Sequence, residues 1–417
     1  MAEVKPFNAV HYNLAAVGSL ADVVAPPYDV IDAEQRGRLL ARSPFNVVEI
    51  DLPQPTGGGD RYQHAAETME SWMLEGILAG DREPTIWALS QGYSTPEGDR
   101  RTRNGFLCRV RLRPYGDEIR PHERTQPGPK QDRLNLTRAT RHNLSPIFSF
   151  YSGKAWPLLE PHTAGRPWGE VIDEDDTVHR VWRISDPVLH EAIAAALADA
   201  ELLIANGHHR YETALAYERE IGGEGEHSCV LMCLVSLEDP GLAVFPTHRL
   251  LTGLADDPEA QERLGSGLKQ LFEIEEVPLE ELDPVGAEGV GVFGYADGHL
   301  RRGFRLLLRD EGALAEELGD RSQAYRALDS AILESLVLKR VLGMSEDEIS
   351  AKRGLAYTPS VEEAIAALDG AADAIFLLRP TPVEQVRAVA SAGETMPPKS
   401  TYFFPKLLTG IVFNRLA

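Results

Sequence analysis

The sequence predicts an α+β protein, and three observations carry that class. A short apolar run, Leu202 to Ala205, stops at Asn206-Gly207 and passes into an amphipathic pattern that continues through Tyr217. That order reads as strand, tight turn and helix. Two strand-like stretches, 85–92 and 104–112, flank a turn rich in Pro, Gly and Asp, the pattern of a hairpin. Elsewhere strand-like and helical stretches mix without a strict βαβ rhythm, which favours α+β.

The elements follow in chain order. Pro26-Pro27 is a rigid break, and Asp32 is placed to cap a helix over 33–40. Thr56 to Asp60, with three successive glycines, reads as a flexible loop, and 61–76 as an amphipathic helix. Residues 121–145 read as a polar, Pro/Gly-rich loop. A strand at 178–184 and a helix at 190–200 lead into the Asn206-Gly207 turn. Strands follow at 228–237 and 242–247, and then an acidic stretch, 250–289, that is helical in parts. Strands at 290–295 and 303–308, helices at 324–342 and 361–368, and a strand at 374–378 complete the pattern. The expected division is a core over 1–250 and a C-terminal α/β portion over 251–417, whose aromatic tail returns to the core.

Composition narrows the function classes. The net charge of -22, from 42 basic and 64 acidic residues, is the wrong sign for a surface that grips nucleic acid. No apolar run reaches the roughly 20 residues that span a bilayer. The N-terminal residues lack a signal-peptide core, and three cysteines make no disulfide framework, so the expected compartment is the cytoplasm. Cys229 and Cys233, in an apolar run, read as core residues.

Chemistry concentrates in a few places. Gly207, His208, His209 and Arg210 put a flexible turn and three basic side chains at a helix start, where the dipole attracts anions and acidic residues are the usual choice. An anionic ligand accounts for them. His122-Glu123-Arg124-Thr125 and Lys130-Gln131-Asp132-Arg133 crowd the 121–145 stretch. There Arg124, Lys130 and Arg133 suit phosphate clamping, while Glu123 and Asp132 suit Mg²⁺ or proton transfer. His248 ends a strand, Lys399 stands in the tail, and Asp29 follows the Pro-Pro turn as a further candidate catalytic carboxylate.

These blocks also resemble a known family. Asn206 to Ala214 is similar to the signature of the bacterial and archaeal proteins called "DUF ten-fifteen", a domain of unknown function. Lys5-Pro6-Phe7 with 25–30, the run from His122 through 128–133 to 143–148, and 396–407 match that family as well. A shorter likeness, Gly-X-His-Arg before a helix, resembles the phosphate box of the ParB/sulfiredoxin superfamily, which includes an ADP-dependent free-serine kinase. That resemblance implies a ParB/sulfiredoxin-like nucleotide-binding core in which Gly207, His208, His209 and Arg210 contact phosphates. It also implies a departure, because Asn206 stands where the kinase has an Asp that looks like its general base.

The expected function is therefore nucleotide-phosphate binding (ATP, ADP or CTP, with Mg²⁺). The expected chemistry is phosphoryl transfer to a small hydroxyl-bearing metabolite such as a serine-like compound. Two alternatives stay open: a nucleotide-binding regulatory switch with little turnover, and a metal-dependent hydrolase built on the histidines. The expected partners are nucleotide and small-molecule substrate, with neither nucleic acid nor membrane. The sequence does not fix the oligomeric state.

Overall fold

A computed structural model describes residues 2–54, 58–96, 98–123 and 127–417. Arg124 and Thr125, and part of the glycine-rich stretch that begins at Thr56, lie outside the described residues. The protein is a mixed α/β chain with several sheets, and it divides into two units. The first comprises residues 1–121, 125–242 and 405–417, and the second comprises 122–124 and 243–404. The division falls at residue 242 rather than 250, because residues 248–251 are a strand of the second unit's sheet.

Among the described residues, the sheet of the first unit has nine strands. In chain order they are β1 (Val4–Lys5), β2 (Ile86–Ser94), β3 (Arg100–Arg111), β4 (Ile119–Pro121), β5 (Ile147–Tyr151), β6 (Gly169–Ile172), β7 (Val178–Ile184), β8 (Leu202–Asn206) and β9 (Cys229–Ser236). Their spatial order is β4-β8-β5-β9-β3-β2-β7-β6, with β1 added on β3. The expected hairpin is present as β2 and β3, antiparallel from Trp87–Leu107 to Ser94–Arg100. β8 runs parallel to the edge strand β4 and antiparallel to β5, so it is paired on both sides, and its residues 202–205 are buried, in keeping with its unbroken apolar run. β9, buried at every position, is parallel to β5.

Six helices of this unit matter for the site: α1 (Ala33–Arg42), α2 (Val48–Asp51), α3 (Arg61–Leu74), α4 (Pro127–Thr140), α5 (Pro187–Ala196) and α6 (His208–Ile221). Asp32 caps α1 by accepting from the Gln35 amide, and Asp60 caps α3 in the same way through Tyr62. One face of the sheet carries Ile86, Phe106, Ile147, Ile204 and Met232, packed with Leu189 and Ile193 of α5 and Tyr211 and Ala214 of α6. The 121–145 stretch is not a loop. Its larger part is α4, because prolines at a helix start cost no hydrogen bond and their preset φ suits the first turn.

The second unit is built on a six-stranded antiparallel sheet: β10 (His248–Leu251), β11 (Phe272–Val277), β12 (Val292–Asp297), β13 (Arg302–Leu308), β14 (Leu355–Thr358) and β15 (Ala374–Leu377), ordered β11-β13-β12-β15-β10-β14. The helix expected over 324–342 is instead two short α-helices and a nine-residue π-helix, Leu333–Val341. Among the described residues, no helix is long and apolar enough to cross a membrane.

Candidate functional site in the first unit

The site starts at the end of β8. Pairing with β5 shifts register between Ile204 and Asn206, and Gly207 follows at φ 102°, ψ 26°, in the left-handed region. α6 then begins with no side-chain cap and no acidic residue in its first turn. Its positive end, worth about half an elementary charge, therefore has no carboxylate of its own helix against it. His208 is buried, while His209 and Arg210 are half-buried.

Arg210 folds back over the turn. Its Nη2 donates to Asn206 Oδ1 at 2.8 Å and its Nη1 to the Pro146 carbonyl at 2.5 Å. A Cβ on Gly207 would sit 3.0–3.2 Å from the Arg210 guanidinium, so any other residue there would push the guanidinium by a few tenths of an ångström besides straining φ. Both acceptors of Arg210 are neutral, and no carboxylate pairs with it among the described residues.

The neighbouring basic residues differ. Lys130, on α4, is 2.7 Å from Glu212 on α6. Arg133 is buried and spans two carboxylates. Its Nη1 donates to Asp51 Oδ1 at 3.0 Å, and its Nη2 donates to Asp132 Oδ2 at 2.6 Å, while the guanidinium lies 4.3 Å over the Tyr28 ring. Burial alone lowers Arg133, but Asp51 and Asp132 more than offset that and hold it above its usual value. Asp132 also accepts from Arg61 at 2.5 Å and from the Tyr62 hydroxyl at 2.9 Å. Burial raises its pKa, yet these cations and donors win and leave it below the usual carboxylate range. Asp132 thus anchors Arg133.

Asp51 is the residue that sequence reasoning missed. It closes α2, only 3% exposed, after Val47-Val48-Glu49-Ile50, of which Val47, Val48 and Ile50 are buried. A carboxylate terminating a buried run was the available signal. Burial pushes its pKa up, against the pull of Arg133 and Arg210. Asp51, Arg133, Arg210, Asn143, Ser145 and Thr213 line a pocket of about 40 Å³. Asp29 is exposed, close enough to Asp51 and Tyr28 for its charge to raise both.

The other expected residues belong to the second unit. Glu123 bridges to Met396, and His122 Nε2 lies 3.0 Å from Thr401 Oγ1 and 3.9 Å from Glu123. Lys399 is half-buried at φ 58°, in the same Pro-Pro turn that Ser400 Oγ closes on the Pro397 carbonyl. His248, expected as a strand-end phosphate contact, begins β10. It is fully enclosed, and its Nδ1 accepts from the Leu378 amide at 3.1 Å. Burial, helped by Arg249, pushes it down to about 4, so it is neutral near pH 7. Among the described residues, no three His, Cys, Asp or Glu side chains gather as metal ligands.

Comparison with known proteins gives a family. The model of a family described as "Protein of unknown function (DUF1015)" matches residues 4–331. No curated protein matches the sequence. Three solved structures are similar at low TM-score. A conserved hypothetical protein from Pyrococcus furiosus has TM-score 0.36 and 17% identity, covering 69% of this chain and 87% of that one. A free serine kinase in complex with AMP also has TM-score 0.36 and 17% identity, covering 71% and 89%. SbnI with C-terminal truncation from Staphylococcus aureus has TM-score 0.38 and 13% identity, covering 73% and 85%.

Proposed function

The chain belongs to the DUF1015 family, and we propose that it binds a nucleotide by its phosphates at the β8–Gly207–α6 turn and acts as a nucleotide-dependent phosphotransferase on a small hydroxyl-bearing metabolite. In this reading the first unit is a ParB/sulfiredoxin-like core. Gly207 lets the chain approach the phosphates, and His208 and His209 stand in the first turn of the helix. Arg210 supplies the positive charge.

One observation carries the reading. Lys130 and Arg133 are paired directly with carboxylates, whereas among the described residues Arg210 has only an amide and a carbonyl as hydrogen-bond acceptors, with Asp51 acting on it at longer range. A guanidinium held against neutral acceptors beside the positive end of a helix is suited to an anion. Phosphoryl transfer depends mainly on such positioning and charge stabilisation. Nucleotide identity and the place of Mg²⁺ belong to the experiment, with ATP, ADP and CTP each tried with and without the metal. Thermal shift with that panel is expected to raise the Tm for at least one nucleotide, and no shift with any of them overturns the reading.

A regulatory switch with little turnover is the second reading, and Asn206 favours it. Its Oδ1 is engaged by Arg210, and an amide takes no proton from a substrate hydroxyl. The hydrolase reading has no gathered set of metal ligands behind it among the described residues.

A further inference from the structure

The pocket beside Arg210 holds two side-chain oxygens that accept no hydrogen bond among the described residues. Asp51 Oδ1 and the Asp51 carbonyl both accept from Arg133 Nη1, at 3.0 and 2.9 Å, while Oδ2 has no donor among the described residues. Ser145, only 7% exposed, makes no side-chain hydrogen bond there either. Both residues line the pocket of about 40 Å³, together with Arg210 and Thr213. Neither oxygen is sealed from the pocket, so two polar atoms without a protein partner among the described residues face one cavity and offer a polar guest its hydrogen bonds.

The other polar walls are already committed. Asn143 Oδ1 accepts from the Leu231 amide and from Asn414, Thr137 donates to the Arg133 carbonyl, and Thr213 to the Lys130 carbonyl at 3.4 Å. The charges facing Asp51 are Arg133 and Arg210, with Asp132, Asp29 and the Tyr28 phenol beyond them, and His142 is a further titratable group on the pocket wall. By the 10–15 Å³ one water needs, the space admits about three water-sized groups. That fits the hydroxymethyl arm of a small compound and not a sugar ring.

We propose that this pocket takes the CH2OH arm of the phosphoryl acceptor, with Ser145 positioning the hydroxyl and Asp51 Oδ2 accepting its proton. The inference rests on the nucleotide reading above, because Arg210 joins the pocket to the Gly207 turn. In the step, the hydroxyl oxygen attacks the terminal phosphorus of a nucleoside di- or triphosphate and forms the new P–O bond. The P–O bond to the shortened nucleotide breaks, and its electron pair leaves with that nucleotide. The hydroxyl proton passes to Asp51 and then to solvent. Asp51 thus supplies the carboxylate that Asn206 does not.

The test follows phosphorus NMR of the full chain with ATP or ADP, Mg²⁺, and four probe acceptors: L-serine, ethanolamine, glycerol and myo-inositol. Calorimetry measures nucleotide Kd in parallel. Transfer is expected to one or more of the three hydroxymethyl compounds and not to the ring alcohol. Asp51→Asn keeps an acceptor for Arg133, so it is expected to fold and to hold nucleotide Kd within about threefold. Its kcat is expected to fall about 100-fold or more, the usual worth of a general base. Ser145→Ala is expected to raise the acceptor KM with nucleotide Kd unchanged, and it gives a second route if Asp51→Asn does not fold. Nucleotide binding with no transfer to any probe overturns the pocket assignment and leaves the nucleotide reading standing. So does an Asp51→Asn enzyme within about tenfold of wild type, or one that loses nucleotide affinity as much as turnover. Failure of the unaltered chain to bind any nucleotide is a different result, and it brings down the underlying reading itself.

Discussion

Replacing Gly207 by Ala perturbs the site at its narrowest point. Two costs add. The backbone there is at φ 102°, and holding an L-residue in left-handed conformation costs roughly 1–2 kcal/mol. The new methyl would also meet the Arg210 Nη2, Nε and Cζ at 3.0, 3.1 and 3.2 Å, so the guanidinium has to move. Moving it weakens its bond to Asn206 or to Pro146, and a hydrogen bond from a charged group is worth about 1.5–3 kcal/mol. With that bond weakened by roughly 1–2 kcal/mol rather than lost, the total is roughly 2–4 kcal/mol, and for a unit of this size each kcal/mol lowers Tm by about 2–4 °C. The assay is scanning calorimetry of Gly207→Ala, Arg210→Met and the double variant. In the double variant there is no guanidinium for the new methyl to displace, so Gly207→Ala adds only backbone strain to the Arg210→Met loss, and the two substitutions are expected to couple by roughly 1–2 kcal/mol. Additive losses, or a Gly207→Ala protein as stable as wild type, refute the placement of Arg210 over the glycine.

Further outcomes follow from the same geometry. Asn206→Asp puts a carboxylate against the Arg210 guanidinium, so it is expected to weaken nucleotide binding about 3- to 10-fold through lost net charge, with no gain in turnover. Titration with ADP and a coupled turnover assay check this, and a large rise in turnover contradicts it. His248 has a folded pKa near 4 against an ordinary 6.5, so the unfolded chain binds its proton first. Its contribution is complete above pH 6.5 and lost as pH falls towards 4, reaching about 2 kcal/mol of lost stability at pH 5. Calorimetry at pH 5 and 7.5 checks this, and His248→Gln is expected to flatten the difference. Lys130→Met breaks a half-exposed pair with Glu212 and is expected to cost no more than about 1 kcal/mol of stability. Urea denaturation measures it, and a loss above about 2 kcal/mol contradicts the surface-pair assignment.

Much of this was legible along the chain, because local chemistry decides local structure. The hairpin at β2–β3, the Asp32 and Asp60 caps and the strand–glycine–helix turn each depend on neighbours within a few residues. α4 was not legible, since Pro127-Gly128-Pro129 reads as a loop until one sees that these residues form the first turn of a helix. Asp51 was hidden for another reason. Its meaning comes from Arg133, on a helix distant in sequence, and from Arg210 beyond both, and no spacing rule joins those three positions. The same holds for Lys130. The sequence gives it as a basic residue beside other basic residues, whereas packing of α4 on α6 pairs it with Glu212. His248 was legible as a histidine at a strand end but not as one fully enclosed, because enclosure comes from β15 and the Leu378 amide.

The central claim is that Arg210, and not its basic neighbours, carries the charge for an anionic ligand. Calorimetric titration of ADP and ATP into wild type, Arg210→Met and Lys130→Met tests it most directly. Loss of one charge-assisted contact of about 1.5–3 kcal/mol corresponds to roughly 10- to 100-fold in Kd. The expected result is a loss of that size for Arg210→Met and a change within about threefold for Lys130→Met. Equal losses in the two variants, or a larger one for Lys130→Met, contradict it.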